Sequence, residues 1–226
     1  MPHETISPGE RELLARYAQI GSSTWSDALD SFGIAGVTQG ITRRSGEGRV
    51  VGFATTARHV FGQLGEFERA DFAVGKLVAA TGPGRVLVVD MGGQPISTFG
   101  GIASTAAKLR GATAVVIDGG CRDVDEIQAT GLWLASRWAT PTTGKTRLKL
   151  ASMGEPVTIG GIRVSEGDLV VCDDTGIVVV PRARLEAVLE KALEMLQIDL
   201  AVEHAVKAGK SFGEAAAAAN YIPESK

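Results

Sequence analysis

Apolar positions along the chain fall into a helical rhythm in some stretches and into short unbroken runs in others. From Pro8 to about Ile20, Leu13, Leu14 and Tyr17 share one face at three- and four-residue spacing, which predicts a helix. A second helix is expected over Thr24–Phe32, with Thr24 as N-cap, Asp27 three residues on as in a capping box, and Gly33 as the stop. Gly52–Val60 alternates weakly and predicts a strand, and Phe67–Ala80 predicts a helix that ends before the break Gly82-Pro83-Gly84. Arg85–Asp90 is a continuous apolar run, as expected of a strand buried on both faces. After a glycine-rich loop come a helix over Ile102–Arg110, closed by Gly111, and a second buried strand over Thr113–Ile117. Asp118-Gly119-Gly120 reads as a tight turn, Asp123–Thr130 as a helix and Leu132–Ser136 as a short strand.

This alternation of strand and helix implies an α/β fold with a parallel sheet and right-handed crossovers. The rhythm then changes. Pro156–Ile159, Ile162–Val164, Asp168–Val171 and Gly176–Val180 predict short strands separated by turns, in an antiparallel or mixed sheet packed near the parallel one. Arg182–Ala208 predicts a long amphipathic helix, and the Ala-rich stretch Glu214–Ala219 another. The expected division is a main α/β domain over residues 1–181 and a C-terminal helical extension over 182–226 that docks on a neighbouring subunit.

Composition removes several classes of function. The net charge of −3 gives no electrostatic case for a nucleic-acid or membrane-surface partner. Cys121 and Cys172 form no CxxC pair, which suits a reducing compartment, and Cys121 reads as a packing residue. His3 and His204 read as exposed and His59 as structural; no HxH or HxxxH spacing supports a histidine-bound zinc. The start of the chain shows no basic and apolar leader, and no run reaches the length of a membrane span, so the expectation is a soluble cytoplasmic protein.

Ligands of open α/β sheets sit at the carboxyl ends of the strands. Two such ends carry unusual sequence: the loop after Arg85–Asp90, running through Gly100-Gly101 into a helix, and Gly120-Cys121-Arg122-Asp123 after the next strand. Gly100 and Gly101 let backbone approach a ligand closely. The free amides of Ile102 and Ala103 at the helix start form an anion site. Arg122 can hold a carboxylate or enolate oxygen through two N–H groups, and Asp123 is a hard ligand suited to Mg²⁺ or Mn²⁺. Together they would take a 2-oxo acid, with its carboxylate on the amides and its keto oxygen between the cation and Arg122.

The segment Gly100–Ile127 (GGIASTAAKLRGATAVVIDGGCRDVDEI) resembles the 4-hydroxy-4-methyl-2-oxoglutarate / 4-carboxy-4-hydroxy-2-oxoadipate aldolases, a family that includes the regulator of ribonuclease activity A. Ser22–Gly36, Gly48–Val60 and Gly160–Pro181 extend the likeness over most of the chain. The resemblance implies a swivelling β/α/β sandwich assembled as a homotrimer or homohexamer. It implies a class II pyruvate aldolase: divalent-metal-dependent retro-aldol cleavage releasing pyruvate, with oxaloacetate decarboxylation as a side activity. By resemblance Arg122 binds pyruvate and steadies its enolate, Asp123 ligates the metal directly, and the amides of Ile102 and Ala103 hold the carboxylate. Glu126 closes the RD-x-x-E pattern as an outer-shell acid.

The sequence departs from that family at Gly101, where an acidic residue is expected. Asp118 and Asp90 are the nearest acids that could replace it, although each fits a turn-capping carboxylate better. A further acid, Asp199 or Glu203, is expected from a neighbouring subunit. The alternatives are a non-catalytic, protein-binding regulator of ribonuclease E type, or a lyase or hydrolase acting on another oxo acid.

Overall fold

The computed structural model describes residues 6–221. Helices α1 (Pro8–Tyr17) and α2 (Ser22–Asp30) lead into β1 (Thr42–Ser45) and the long β2 (Val50–Phe61). Helix α3 (Val74–Ala79), β3 (Arg85–Asp90), β4 (Ser97–Phe99), α4 (Gly101–Leu109), β5 (Ala114–Cys121), α5 (Val124–Thr130) and β6 (Leu134–Ala139) form the α/β centre. Strands β7 (Leu148–Met153), β8 (Val157–Ile159), β9 (Ile162–Val164), β10 (Leu169–Cys172) and β11 (Ile177–Val180) follow, then α6 (Leu185–Lys207) and α7 (Phe212–Ala218).

One nine-stranded mixed sheet runs β1-β6-β5-β3-β2-β10-β11, with β4 added on β5 and β7 on β2. Strands β2, β3, β5 and β6 are parallel neighbours, as the crossover pattern requires. The side-chain period of two divides their apolar residues between two layers. Leu87, Val89, Val115 and Ile117 face the helices through Leu77, Ala107 and Ile127. Val86, Val88, Ala114 and Val116 face the β8–β9 hairpin through Val157, Ile159 and Val164. Helices on one face and a hairpin on the other make the chain a swivelling β/α/β sandwich of the α/β class.

A third core lies where α1, α2 and α6 cover β10 and β11. Trp25 and Leu29 pack there with Leu185, Val188 and Ala192, so the first half of the long C-terminal helix belongs to its own chain's core. Leu200 and Val206 on its second half stay exposed.

Several elements differ from the sequence expectation. Helix α2 begins at Ser22, and its N-terminus is closed from a distance: Asp173 accepts the Ser22 N–H at 3.0 Å and the Ser22 hydroxyl at 2.7 Å. The side chain of Thr24 therefore makes no cap. The expected Phe67–Ala80 helix is a 3-10 turn (Arg69–Phe72) and α3, divided by Ala73 in the left-handed region at φ 46°. Asp118-Gly119-Gly120 is no turn. It continues β5, because Gly120 leaves room for the Ile96 carbonyl, 2.7 Å from where its Cβ would stand, and donates its N–H to it. Strands β10 and β11 join the main sheet through β2, and only β8–β9 forms a separate pair. Strands β1, β4 and β7 were not expected. His204 is exposed and His59 buried; His3 lies outside the described residues.

Asp118, 6% exposed, ties the end of β5 to the turn between β8 and β9. It accepts Arg137 Nε at 2.5 Å and the buried Gly160 N–H at 2.7 Å. Asp118→Ala leaves that amide and the Arg137 charge unmatched. It should lower stability by about 2–4 kcal/mol, read as a shift in urea midpoint at constant m-value; a shift below about 0.5 kcal/mol would contradict this fastening role.

Candidate active site

The loops after β3 and β5 meet because the two strands are parallel neighbours in register, Val86 opposite Ala114 and Asp90 opposite Asp118. Strand β4 then pairs with the end of β5, and Arg122 donates its backbone N–H to the Phe99 carbonyl at 3.0 Å. This contact sets the start of α4 directly against the Arg122-Asp123 pair. The approach is too close for side chains. A Cβ on Gly100 would stand 2.6 Å from Asp123 Oδ2 and 3.0 Å from Arg122 Cγ. A Cβ on Gly101 would overlap the Glu126 carboxylate and come 2.7 Å from Glu126 Cβ. Asp123 accepts the Gly101 N–H at 3.3 Å, while the amides of Ile102 and Ala103 have no acceptor among the described residues.

Around these groups lies a cavity of about 360 Å³. Gly100, Ile102, Ala103, Arg122 and Asp123 line it, so five of the expected site residues converge on one space. Arg122 Nε and Asp123 Oδ2 are 3.3 Å apart, both side chains about one-third exposed. Asp123 itself is held in the left-handed region at φ 54°, and three of the four described non-glycine residues with positive φ flank this cavity: Ala73, Asp123 and Thr146. Such backbone costs about 1–3 kcal/mol per residue and concentrates at functional sites.

The donors suit a hard cation. Oδ2 of Asp123 is engaged by Gly101 and Arg122, and Oδ1 has no partner among the described residues. Among the described residues no cluster of three or more His, Cys, Asp or Glu could cage a metal. A single outward carboxylate oxygen is the arrangement in which Mg²⁺ or Mn²⁺ completes its octahedron with water and ligand oxygens.

Other walls come from residues that no sequence signal pointed to. Thr98, between the buried Ser97 and Phe99, lines the cavity with its hydroxyl buried and without a hydrogen-bond partner. Phe72, Val74 and Val78 arrive from the turn before α3 and from α3, and Thr143 and Lys145 from the loop before β7. Their meeting depends on contacts remote in sequence. Phe72 is backed by His59, whose ring lies 6.2 Å from the Phe72 ring and whose Nε2 is 3.3 Å from the Phe72 carbonyl. Burial holds the His59 imidazole below its ordinary 6.5, against the Phe72 carbonyl, which pulls it upward.

The remaining expected acids are placed elsewhere. Asp118 serves Arg137 and Gly160, and Asp90 accepts the N–H groups of Gly92 at 2.9 Å and Thr158 at 3.3 Å. Neither lines the cavity. Glu126, on α5, lies over Gly101 and fills the space a side chain there would need. On its own chain, Asp199 faces Thr24 of α2 at 3.5 Å, and Glu203 pairs with Lys207 at 2.5 Å. Cys121 is fully buried against Ser136, and burial raises its thiol pKa, which keeps it protonated and unreactive.

Two measurements check this geometry. Thr98→Val removes an orphan hydroxyl at constant shape, so it should raise stability by about 1 kcal/mol while weakening small-acid binding; a destabilised protein would show that the hydroxyl is satisfied. Neutral His59 stabilises the fold fully above pH 6.5. Below that value the unfolded chain takes up a proton that the folded chain refuses, so stability should fall as pH drops from 6.5 towards the lower folded value. His59→Gln should flatten the slope in melts across that window, and an unchanged slope would assign it to other groups.

The RraA-like family model, described as Aldolase/RraA, matches residues 22–179. A Halalkalibacterium halodurans protein named "Putative 4-hydroxy-4-methyl-2-oxoglutarate aldolase" is 29% identical over 202 residues, 89% of this chain and 91% of its own. The crystal structure of an uncharacterized protein from Pseudomonas syringae superposes with a TM-score of 0.79 at 29% identity, covering 91% of this chain and 96% of that one. Streptomyces coelicolor RraAS2, described as an unusual member of the RNase ES inhibitor RraA protein family, gives a TM-score of 0.75 at 27% identity over 83% of this chain and 94% of its own. The chain belongs to the RraA-like family.

Proposed function

We propose that this chain is a divalent-metal-dependent pyruvate aldolase that cleaves a 4-hydroxy-2-oxo acid to release pyruvate, with oxaloacetate decarboxylation as a side activity. The carrying observation is the convergence of two free helix-start amides, the Arg122 guanidinium and an outward Asp123 oxygen on one cavity. The aldolase name of the Halalkalibacterium relative supports the reading. The carboxylate of the substrate would sit on the amides of Ile102 and Ala103, where the α4 dipole favours an anion. Asp123 would hold a cation, Mg²⁺ or Mn²⁺, which would supply Lewis-acid polarisation of the keto group.

In the cleavage the C3–C4 bond breaks. Its electron pair moves through C2 onto the keto oxygen, the C4 hydroxyl loses its proton to become a carbonyl, and C3 is then protonated to give pyruvate. Arg122 presents planar N–H groups to the oxygen that gathers charge, so its effect is greatest in the transition state. Apart from Asp123, no carboxylate among the described residues lines the cavity to take the hydroxyl proton. A trimer or hexamer that brings Asp199 or Glu203 of a neighbouring copy to the site would supply one. Burial, and Asp27 nearby, raise the Asp199 pKa, the direction that suits a base. Glu126 would act as an outer-shell acid. The likeness to RraAS2 carries the second reading, a protein-binding regulator of ribonuclease, and the intact Arg122-Asp123 cavity favours chemistry over it.

Arg122→Lys keeps the charge and loses the planar fork, so kcat for pyruvate release should fall by roughly 10²-fold or more. Asp123→Asn should cost at least as much and weaken Mn²⁺ binding in calorimetry, while the fold survives because Asn tolerates the left-handed conformation. Chelator should abolish turnover and Mg²⁺ or Mn²⁺ restore it. Unchanged kcat/KM in Arg122→Lys, or full turnover in excess chelator, would defeat the assignment.

A further inference from the structure

The cavity has two chemically different ends. At one end are the Arg122 and Asp123 side chains and the free amides of Ile102 and Ala103. From there it runs along α4. Ala106 follows Ile102 and Ala103 on the same face of the helix, one turn or 5.4 Å further on. Val74 and Val78, four residues apart on α3, face that stretch from the other side, and Phe72 closes the wall. The side chains that α3 and α4 give to the lining are therefore carbon, while Ser97, Thr98 and Thr143 bring hydroxyls from β4 and the loop before β7. Arg110, one turn beyond Ala106, is turned to the Ala79 carbonyl at 2.9 Å and does not line the cavity. Lys145 also lines it, as an exposed residue, and pairing with an exposed ammonium is worth little.

We propose that the substrate is a 2-oxo acid whose end distal to the carboxylate is an alkyl chain, seated between α3 and α4. This rests on the reading that the Arg122 end takes the carboxylate of a 2-oxo acid. An acid held there extends along α4, and one turn on it meets Val74, Val78 and Ala106. A methylene in that position leaves water for a matched surface. A second carboxylate there would lose hydration against Val74, Val78 and Ala106, whose side chains donate no hydrogen bond. The stretch between α3 and α4 thus selects against a charge carried well beyond the keto carbon, as in a six-carbon diacid, and for carbon in that position.

The test is a calorimetric titration of the full chain, in Mg²⁺, with pyruvate, 2-oxobutanoate, 2-oxopentanoate, 2-oxohexanoate and 2-oxoadipate. Affinity should rise about fourfold per added methylene, and 2-oxoadipate should bind at least roughly tenfold more weakly than 2-oxohexanoate, which has the same number of carbons. Val78→Asn and Val74→Asn, each checked by its melt, should flatten the rise. Val78 and Val74 are partly buried at the edge of the core and not within it, so at least one variant is expected to fold. Pyruvate binding with no gain along the series, or 2-oxoadipate binding more tightly than 2-oxohexanoate, would overturn the alkyl-end proposal and leave the carboxylate site standing. No binding of any of the five acids would overturn both.

Discussion

The site depends on one close approach, that of the Gly100-Gly101 backbone to the Arg122-Asp123 pair. Strand β4 brings the glycines in by pairing with the end of β5, and the Arg122 amide fixes the distance by bonding to the Phe99 carbonyl. At that distance a methyl group at either glycine would collide with the Asp123 or Glu126 side chain. The same approach gives Asp123 a backbone donor for Oδ2, leaves Oδ1 outward and points the first turn of α4 at the guanidinium. The left-handed backbone of Asp123 accompanies a tight turn: the chain passes from β5 into α5 through only two residues, Arg122 and Asp123.

The rest of the fold holds that junction rigid. Parallel strands buried on both faces fix β3 and β5 in register, helices cover one face, and the β8–β9 hairpin covers the other through the Asp118–Arg137–Gly160 fastening. Asp118 shows how a carboxylate only a few residues from the site can have a purely structural task. Its two oxygens are both occupied on the side of the sheet away from the helices, where a hairpin amide would otherwise be buried without a partner.

How much was legible in the sequence follows from how local each feature is. The strands Arg85–Asp90 and Ile162–Val164 were readable to the residue, because an apolar run or a turn-bounded triplet needs no context. Strand β1 is Thr-Arg-Arg-Ser, a polar edge strand held by pairing with β6, and β4 is three residues long, so neither carries a periodic signal. Arg122 and Asp123 were readable because they are adjacent and follow a buried strand, and the glycine pair because it precedes a helix. Thr98, Phe72 and Val78 were not, since their convergence on the cavity depends on the packing of α3 against α4 and of β4 on β5. The Thr24 cap failed for the same reason: the acid that closes α2 is Asp173, far along the chain and unmarked by any local pattern.

The central claim is that one cavity holds both a divalent cation on Asp123 and a 2-oxo acid on the start of α4. A crystal structure grown with Mn²⁺ and pyruvate tests it most directly, with anomalous scattering used to locate the cation. The account predicts a Mn²⁺ peak within about 2.2 Å of Asp123 Oδ1 and pyruvate with its carboxylate on the amides of Ile102 and Ala103. Anomalous density away from Asp123, or pyruvate bound elsewhere while this cavity holds only water, would contradict it.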